Sequence, residues 1–250
     1  MPERTIAVIR QGFDDSQGFD TGVSEALLRR VGEGSLIETF RVSTPGNVVA
    51  FGKQDRITPG FDRATELARR HGFASVIRLP GGRAAVFHDQ VISFSWTIPN
   101  ADPIRGIRER FDQTAALVVD ALASVGVEAS VGEIPGEYCP GEFSVSNAGS
   151  IKLAGIGQRL TKRAAHVGGV LVVGGADRIR EVLVPVYGAL GIDWDPSTVG
   201  AIDNVISRID VSTVVDALLG ALSASASTTE SALDQETLDF ARTLAPTHKP

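Results

Sequence analysis

Four short segments hold side chains able to attack, donate protons or hold charge. Residues 78–89, RLPGGRAAVFHD, put Arg78 ahead of a Gly81-Gly82 turn, Arg83 behind it and His88-Asp89 at the far end. Glycines leave backbone N–H groups open to an approaching anion, and guanidinium groups add planar charge-assisted donors. Such a turn can cradle a phosphate or carboxylate. The same residues also satisfy a purely geometrical turn with a His-Asp hydrogen bond and no ligand. Residues 137–142, EYCPGE, carry the single cysteine, Cys139, in a polar loop bounded by Pro and Gly. A lone cysteine usually fills a core as a small hydrophobe, but polar surroundings and a nearby ammonium such as Lys152 favour a thiolate. Lys152 alternates with Ile151 and Leu153, so it points to the other face of a strand. On its own it reads as a solvent-facing charge. The glycines of the following GIGQR weaken a strand unless a ligand or another backbone comes close, and His166 before Gly168-Gly169 repeats that pattern. Lys152, Arg159, Lys162 and Arg163 gather into a basic patch. It suits either a solvated hairpin or a docking face for an acidic protein or a nucleotide.

These segments need elements to hold them. Apolar spacing predicts a helix over DTGVSEALLRR, with Asp20 or Thr21 as its cap, and another over FDRATELARRHG, ended by Gly72. SLIETFRV and NVVAF read as strands joined by the turn STPG, and ASVIR as the strand that feeds the first segment. In QVISFSWTI, Ile92, Phe94, Trp96 and Ile98 share one face; Ser93, Ser95 and Thr97 share the other. ADPIRGIRERFDQTAALVVDALASVG is a helix with Asp102 as cap, Pro103 at its first position and Gly126 at its end. Ile104, Ile107, Phe111, Val118, Leu122 and Val125 form its apolar stripe. After the Cys139 loop, FSVSN, SIKLAGIGQRL and AAHVGGVLVV read as an antiparallel meander. DRIREVLVPVYGAL is a helix interrupted by Pro185. LSASASTTESA (222–232) has linker composition, and DQETLDFARTLA is a short final helix. Strands come in consecutive groups with helices set apart, which predicts an α+β fold with a mixed, largely antiparallel sheet flanked by helices.

Bulk properties set the outer limits. With 250 residues and 43% hydrophobic content, the chain suits one large domain, residues 1–220, with a linker and short helix over 221–250. A net charge of −6 argues against general nucleic-acid binding. One cysteine allows no internal disulfide and fits a reducing compartment. The first residues, MPERTIAVIRQGFDD, lack the apolar core of a secretion signal, and no apolar run nears the roughly 20 residues that span a bilayer. The expectation is a cytoplasmic protein with no membrane partner.

Taken in order, RLPGGRAAVFHD, GSIKLAGIGQR and AAHVGGVLV resemble the lipoate-binding loop, lysine motif and His-Gly strand of the lipoate–protein ligase A and octanoyltransferase family. ETFRVSTPGNVVAFGKQD is similar to the strand pair that precedes that loop, and the resemblance covers about residues 20–210. It implies a biotin/lipoate protein ligase-like catalytic domain that attaches a lipoyl or octanoyl group to a lysine of a lipoyl-carrier domain. It also implies that Lys152 contacts the acyl carbonyl and, in a ligase, the adenylate phosphate. Gly81, Gly82 and Arg83 would line the acyl and phosphate pocket and His88 would help close it. Arg78, Phe87, Gly155, Gln158 and His166 complete the substrate-binding set, with Phe87 and the apolar face of 90–98 walling an acyl slot. Two chemistries stay open. A ligase would use lipoate, ATP and Mg²⁺. An octanoyltransferase would take the group from octanoyl–acyl carrier protein through a thioester on Cys139 and need no cofactor; neither expectation includes a resident metal. A third alternative is a non-catalytic binder of lipoyl or carrier domains.

Overall fold

Alternation in the central strand sets the architecture, which the computed structural model describes for residues 4–250; the first three residues of the N-terminal stretch lie outside the described residues. In chain order the elements are β1 (Thr5–Ile9), α1 (Phe19–Glu33), β2 (Thr39–Ser43), β3 (Val48–Phe51), α2 (Lys53–Arg56), α3 (Phe61–Arg70), β4 (Ala74–Ile77), β5 (Ala85–Phe87) and β6 (Val91–Pro99). There follow α4 (Ile107–Ser124), β7 (Ser130–Val131), β8 (Val145–Asn147), β9 (Ile151–Leu160), β10 (Ala164–Val172), α5 (Ala176–Leu190), α6 (Val211–Ser225), β11 (Ser227–Glu230) and α7 (Gln235–Leu244). Among the described residues one sheet runs β11-β1-β2-β6-β10-β9-β8-β7 and a smaller one runs β4-β3-β5. β11, β1 and β2 pair in parallel, whereas the ladder from β2 through β6, β10, β9 and β8 to β7 is antiparallel. The sheet is therefore mixed and largely antiparallel, and the meander over β8–β10 is formed.

Each face of β6 has a separate task. Ile92, Phe94 and Trp96 pack against Val118 and Leu122 of α4 and Leu218 and Leu222 of α6, forming one core. Burying each such side chain contributes about 1.5–3 kcal/mol before entropy is counted. A second core joins Phe51, Val86 and Val172 to Ile179, Leu183 and Tyr187 of α5. Ser93 and Ser95, on the opposite face of β6, look into the space left between the two sheets. No helix among the described residues is long and apolar enough to cross a membrane.

Several boundaries differ from expectation. α4 begins at Ile107, not near Asp102, and Ile104 is 74% exposed. Asn100 Oδ1 accepts the Asp102 N–H and Asp102 Oδ1 accepts the Arg105 N–H, so these side chains hold a turn in place of a helix cap. α1 starts at Phe19 behind Gly18; Asp20 is buried in an ion pair with Arg41 and caps nothing. α5 runs through Pro185 without interruption. Its buried Leu183, Val186, Tyr187 and Leu190 offset the lost backbone bond by packing. The stretch 222–232 is no linker. Ser225 completes α6, and Ser227–Glu230 pairs with β1, in keeping with the strand preference of threonine. α7, capped by Asp234, packs Ala241 and Leu244 against Val23, Ala26 and Leu27 of α1. His248 then donates from Nδ1 to the Ile77 carbonyl at 2.9 Å and meets Glu25 Oε2 at 2.8 Å. Residues beyond 220 are thus built into the same body as the rest.

Candidate functional site

A cavity of about 580 Å³ opens between the sheets, within the range that holds small organic ligands. Val48, Ala50, Ala85 and Phe87 wall it from the small sheet; Ser93, Ser95, Gly155, Gly168 and Val170 wall it from the large one. Ile107 and Phe111 enter from α4, and the Phe111 ring stacks on Phe143 at 4.6 Å. The slot was expected to use the apolar face of the strand over 90–98. That face belongs mainly to the core instead, and the serine face lines the cavity.

Cys139 sits in the cavity wall where two loops meet. Its Sγ accepts a hydrogen bond from Arg78 Nη2 at 3.1 Å and from the Arg83 backbone N–H at 3.2 Å. Burial pushes the thiol pKa up, but the Arg78 guanidinium, the Lys152 ammonium and the Arg83 N–H outweigh it, and the net shift is downward. Gly82 makes this approach feasible. It has φ 101°, and a Cβ there would lie 2.0 Å from Arg78 Nη2 and 2.7 Å from Sγ. Gly157 plays a similar part for the other side of the turn: a Cβ would meet Pro80 Cβ at 3.2 Å and the Gly81 carbonyl at 3.3 Å.

The backbone of Cys139 is itself unusual, with φ 45°. A side chain in the left-handed region costs about 1–3 kcal/mol and persists only where its neighbours hold it. Here Lys152 Nζ donates to the carbonyls of Tyr138 at 3.0 Å and Cys139 at 2.8 Å, and the Cys139 N–H goes to Tyr187 Oη at 3.0 Å. Lys152 is 1% exposed, not solvent-facing, because its Nζ also lies 2.7 Å from Glu137 Oε2. Glu137 closes the loop on itself, its Oε1 accepting the N–H groups of Ile134 at 3.1 Å and Gly141 at 3.3 Å. Lys152 therefore belongs to this loop and not to the basic patch. Arg159, Lys162 and Arg163 remain exposed elsewhere.

Of the expected site residues, Arg78, Gly81, Gly82, Phe87, Cys139, Lys152, Gly155, Gln158 and His166 come together around the cavity. Two are placed otherwise. The Arg83 guanidinium turns to the buried Asp55, 3.1 Å away, leaving only its backbone N–H on the site. His88 is buried beside Gly175, with Nδ1 accepting the Gln90 N–H at 3.2 Å; burial, then Arg178, lowers its pKa. It is not among the residues that line the cavity. Gln158 braces α4, donating to the Ile107 carbonyl at 2.7 Å and accepting from Arg110 Nε at 3.1 Å. Sequence reasoning missed Glu137 and Tyr187 as site components, whereas Ser93 and Ser95 stand on the polar strand face open to a ligand or solvent. A signal for Glu137 existed: a buried lysine needs a counter-charge, and this acid lies in the same loop as the cysteine.

His166, buried on the cavity wall, has its pKa lowered from 6.5 to about 4 by burial and then by Arg41. It stays neutral at physiological pH. The unfolded chain binds a proton there first, so this residue's contribution is fully present above pH 6.5 and is lost as pH falls toward 4. Asp15, raised to about 6 by burial, carries the opposite sign. His166 is therefore read as a difference between variants. Wild type should lose about 3 kcal/mol relative to His166→Gln between pH 6.5 and 4, measured by urea unfolding; parallel stability curves would contradict the assignment.

Comparison with known proteins gives a consistent picture. The family model described as the lipoyl protein ligase A/B catalytic domain matches residues 19–223. An octanoyl-[GcvH]:protein N-octanoyltransferase of Geobacillus kaustophilus is 33% identical over 179 residues, 72% of this chain and 62% of that protein. One of the same description from Exiguobacterium sibiricum is 31% identical over 170 residues, 64% of this chain and 62% of that protein. The aligned part of the chain thus spans less than two thirds of these relatives. A lipoate-protein ligase A crystallised with ATP superposes with a TM-score of 0.77 at 18% identity, over 96% of this chain and 93% of that one. Protein Ta0514 of T. acidophilum with bound lipoic acid gives 0.74 at 18%, over 97% and 94%. At that identity the two structures establish the fold, a mixed sheet flanked by helices, and nothing finer.

Proposed function

Because the chain belongs to the lipoyl protein ligase A/B catalytic domain family, we propose that it transfers an octanoyl or lipoyl group to a lysine of a lipoyl-carrier domain through a thioester on Cys139. The observation that carries this reading is the position of Sγ on the cavity wall, 3.1 Å from Arg78 Nη2 and 3.2 Å from the Arg83 N–H. The octanoyltransferase names of the relatives support it.

In the first step the Cys139 thiolate attacks the acyl carbonyl of the donor and a C–S bond forms; the donor's C–S bond breaks and its thiolate leaves, or, from an amide donor, the C–N bond breaks and the amine leaves with a proton taken from solvent. In the second, a neutral lysine amine of the acceptor attacks the thioester. The amide C–N bond forms, the C–S bond breaks, the surplus proton goes to solvent and the thiolate returns. The Arg78 guanidinium lines the cavity beside Sγ, and we assign it to the carbonyl oxygen as negative charge develops there. The cavity between the sheets takes the acyl chain, against Phe87, Ala85 and Val170. Both sheets, β11 and α7 together make the catalytic unit.

Neither step consumes ATP. The ligase alternative has Lys152 reach an acyl-adenylate, but its ammonium is already engaged by Glu137 and two carbonyls. That arrangement favours the cysteine route. Three mixtures with a lipoyl-domain acceptor test the choice by acceptor mass: an octanoyl thioester carrier, an octanoyl-amide carrier, and lipoate with ATP and Mg²⁺. At least one carrier mixture should modify the acceptor without ATP. Modification in the ATP mixture alone would overturn the thioester route, and none in any mixture would overturn the enzyme reading.

A further inference from the structure

One buried oxygen joins the two loops of the site, and its owner lies on neither of them. Tyr187 sits on α5, inaccessible to solvent. Its Oη accepts the Cys139 N–H at 3.0 Å and donates to the Ala84 carbonyl at 2.9 Å. Ala84 directly follows Arg83, whose N–H donates to Cys139 Sγ. The hydroxyl thus fixes the backbone of the nucleophile against the backbone that carries its donor.

The ring has little freedom to move. It packs on Trp194 with centroids 5.3 Å apart and belongs to the core with Phe51 and Val86. A phenol placed only for packing would leave its hydroxyl with any convenient partner. This one receives from one active-site loop and gives to the other. Burial, first, raises its pKa well above the ordinary phenol value, so the proton needed for the bond to Ala84 stays on.

We propose that Tyr187 is a positioning residue that locks the Cys139 loop onto the Arg78–Arg83 loop, so that Sγ meets both of its hydrogen-bond donors. The proposal rests on the thioester reading for its effect on turnover, but its geometric content does not. Cys139 is the chain's one cysteine, so thiol alkylation reports on it alone.

Tyr187→Phe removes the oxygen and keeps the ring. The pH profile of iodoacetamide alkylation should shift upward by about one unit, which lowers the rate about tenfold at pH values below the wild-type midpoint. In acyl transfer at such a pH, kcat should fall by about the same factor with KM within about twofold, as expected when the nucleophile loses reactivity and substrate binding is untouched. An unchanged alkylation profile in a folded variant would reduce Tyr187 to a core side chain. Hydrogen exchange of the wild-type protein gives a second reading that needs no variant. The Cys139 amide should be strongly protected, and exchange at the rate of an open loop would overturn the proposal. If the wild type shows no acyl transfer, the alkylation and exchange results still judge Tyr187, so the two failures can be told apart.

Discussion

Cys139→Ser is expected to lower acyl transfer by on the order of 10³-fold or more, since a serine hydroxyl is far harder to deprotonate than a thiol. The substitution changes one atom at a site that already accepts hydrogen bonds from the Arg78 guanidinium and the Arg83 backbone N–H. Those donors favour a thiolate; they are too weak to make an alkoxide near neutral pH. No general base touches Sγ among the described residues, because His166 has its Nδ1 beside Thr97 at 3.5 Å and His88 stands off the cavity. Serine has therefore nothing to activate it. Its melting temperature should stay close to wild type, because no packing is lost. Single-turnover transfer measured beside thermal unfolding checks both halves. A serine variant with more than about a tenth of wild-type rate would return Cys139 to a structural part.

The second large effect concerns the Lys152–Glu137 pair. Both side chains are buried, and their charged atoms lie 2.7 Å apart. Removing one partner leaves the other charge buried without compensation, which costs about 3–5 kcal/mol. Lys152→Met alone and Glu137→Gln alone should each destabilise by about that much. The resemblance implies that Lys152 contacts the acyl carbonyl; the structure adds that it is buried against Glu137. The double variant Lys152→Met/Glu137→Gln leaves no unpaired charge, so its stability should return to within about 1–2 kcal/mol of wild type. Its activity should not return. The ammonium that lowers the Cys139 pKa and holds its carbonyl is absent, and the rate should remain at least about tenfold down. Denaturant unfolding of the four proteins in the cycle, with transfer rates alongside, measures this. Recovery of both stability and rate in the double variant would show that Lys152 serves the fold alone.

Much of the fold is legible in local pattern, and the exceptions have physical causes. The β6 alternation, the meander and the α3 helix follow directly from apolar spacing. The start of α4 does not, because Asn100 and Asp102 compete for backbone N–H groups in a turn that looks like a cap. At the end of the chain the α7 helix is legible, but β11 and the docking of α7 are not, because they rest on β1 and α1, contacts more than 200 residues away in sequence. Within the site, the residue types of Cys139, Lys152 and Gly82 announce their chemistry. Direction does not follow from type. Arg83 turns to Asp55, His88 to its own loop, and Lys152 to Glu137, each settled by a tertiary partner that spacing does not disclose. Tyr187 had no local signal at all, since a tyrosine within an apolar helix stripe reads as core.

The central claim is that Cys139 carries the acyl group in covalent form. Incubation of the protein with an octanoyl carrier protein, without ATP or acceptor, followed by acid quenching and intact-mass measurement, tests it most directly. A mass gain of one octanoyl group, removed by neutral hydroxylamine, located on Cys139 by peptide mapping and discharged by added lipoyl-domain acceptor, is the predicted result. Acceptor modification at full rate in that carrier system, with no octanoyl group found on Cys139 at any time and undiminished turnover after Cys139 is alkylated, would contradict it.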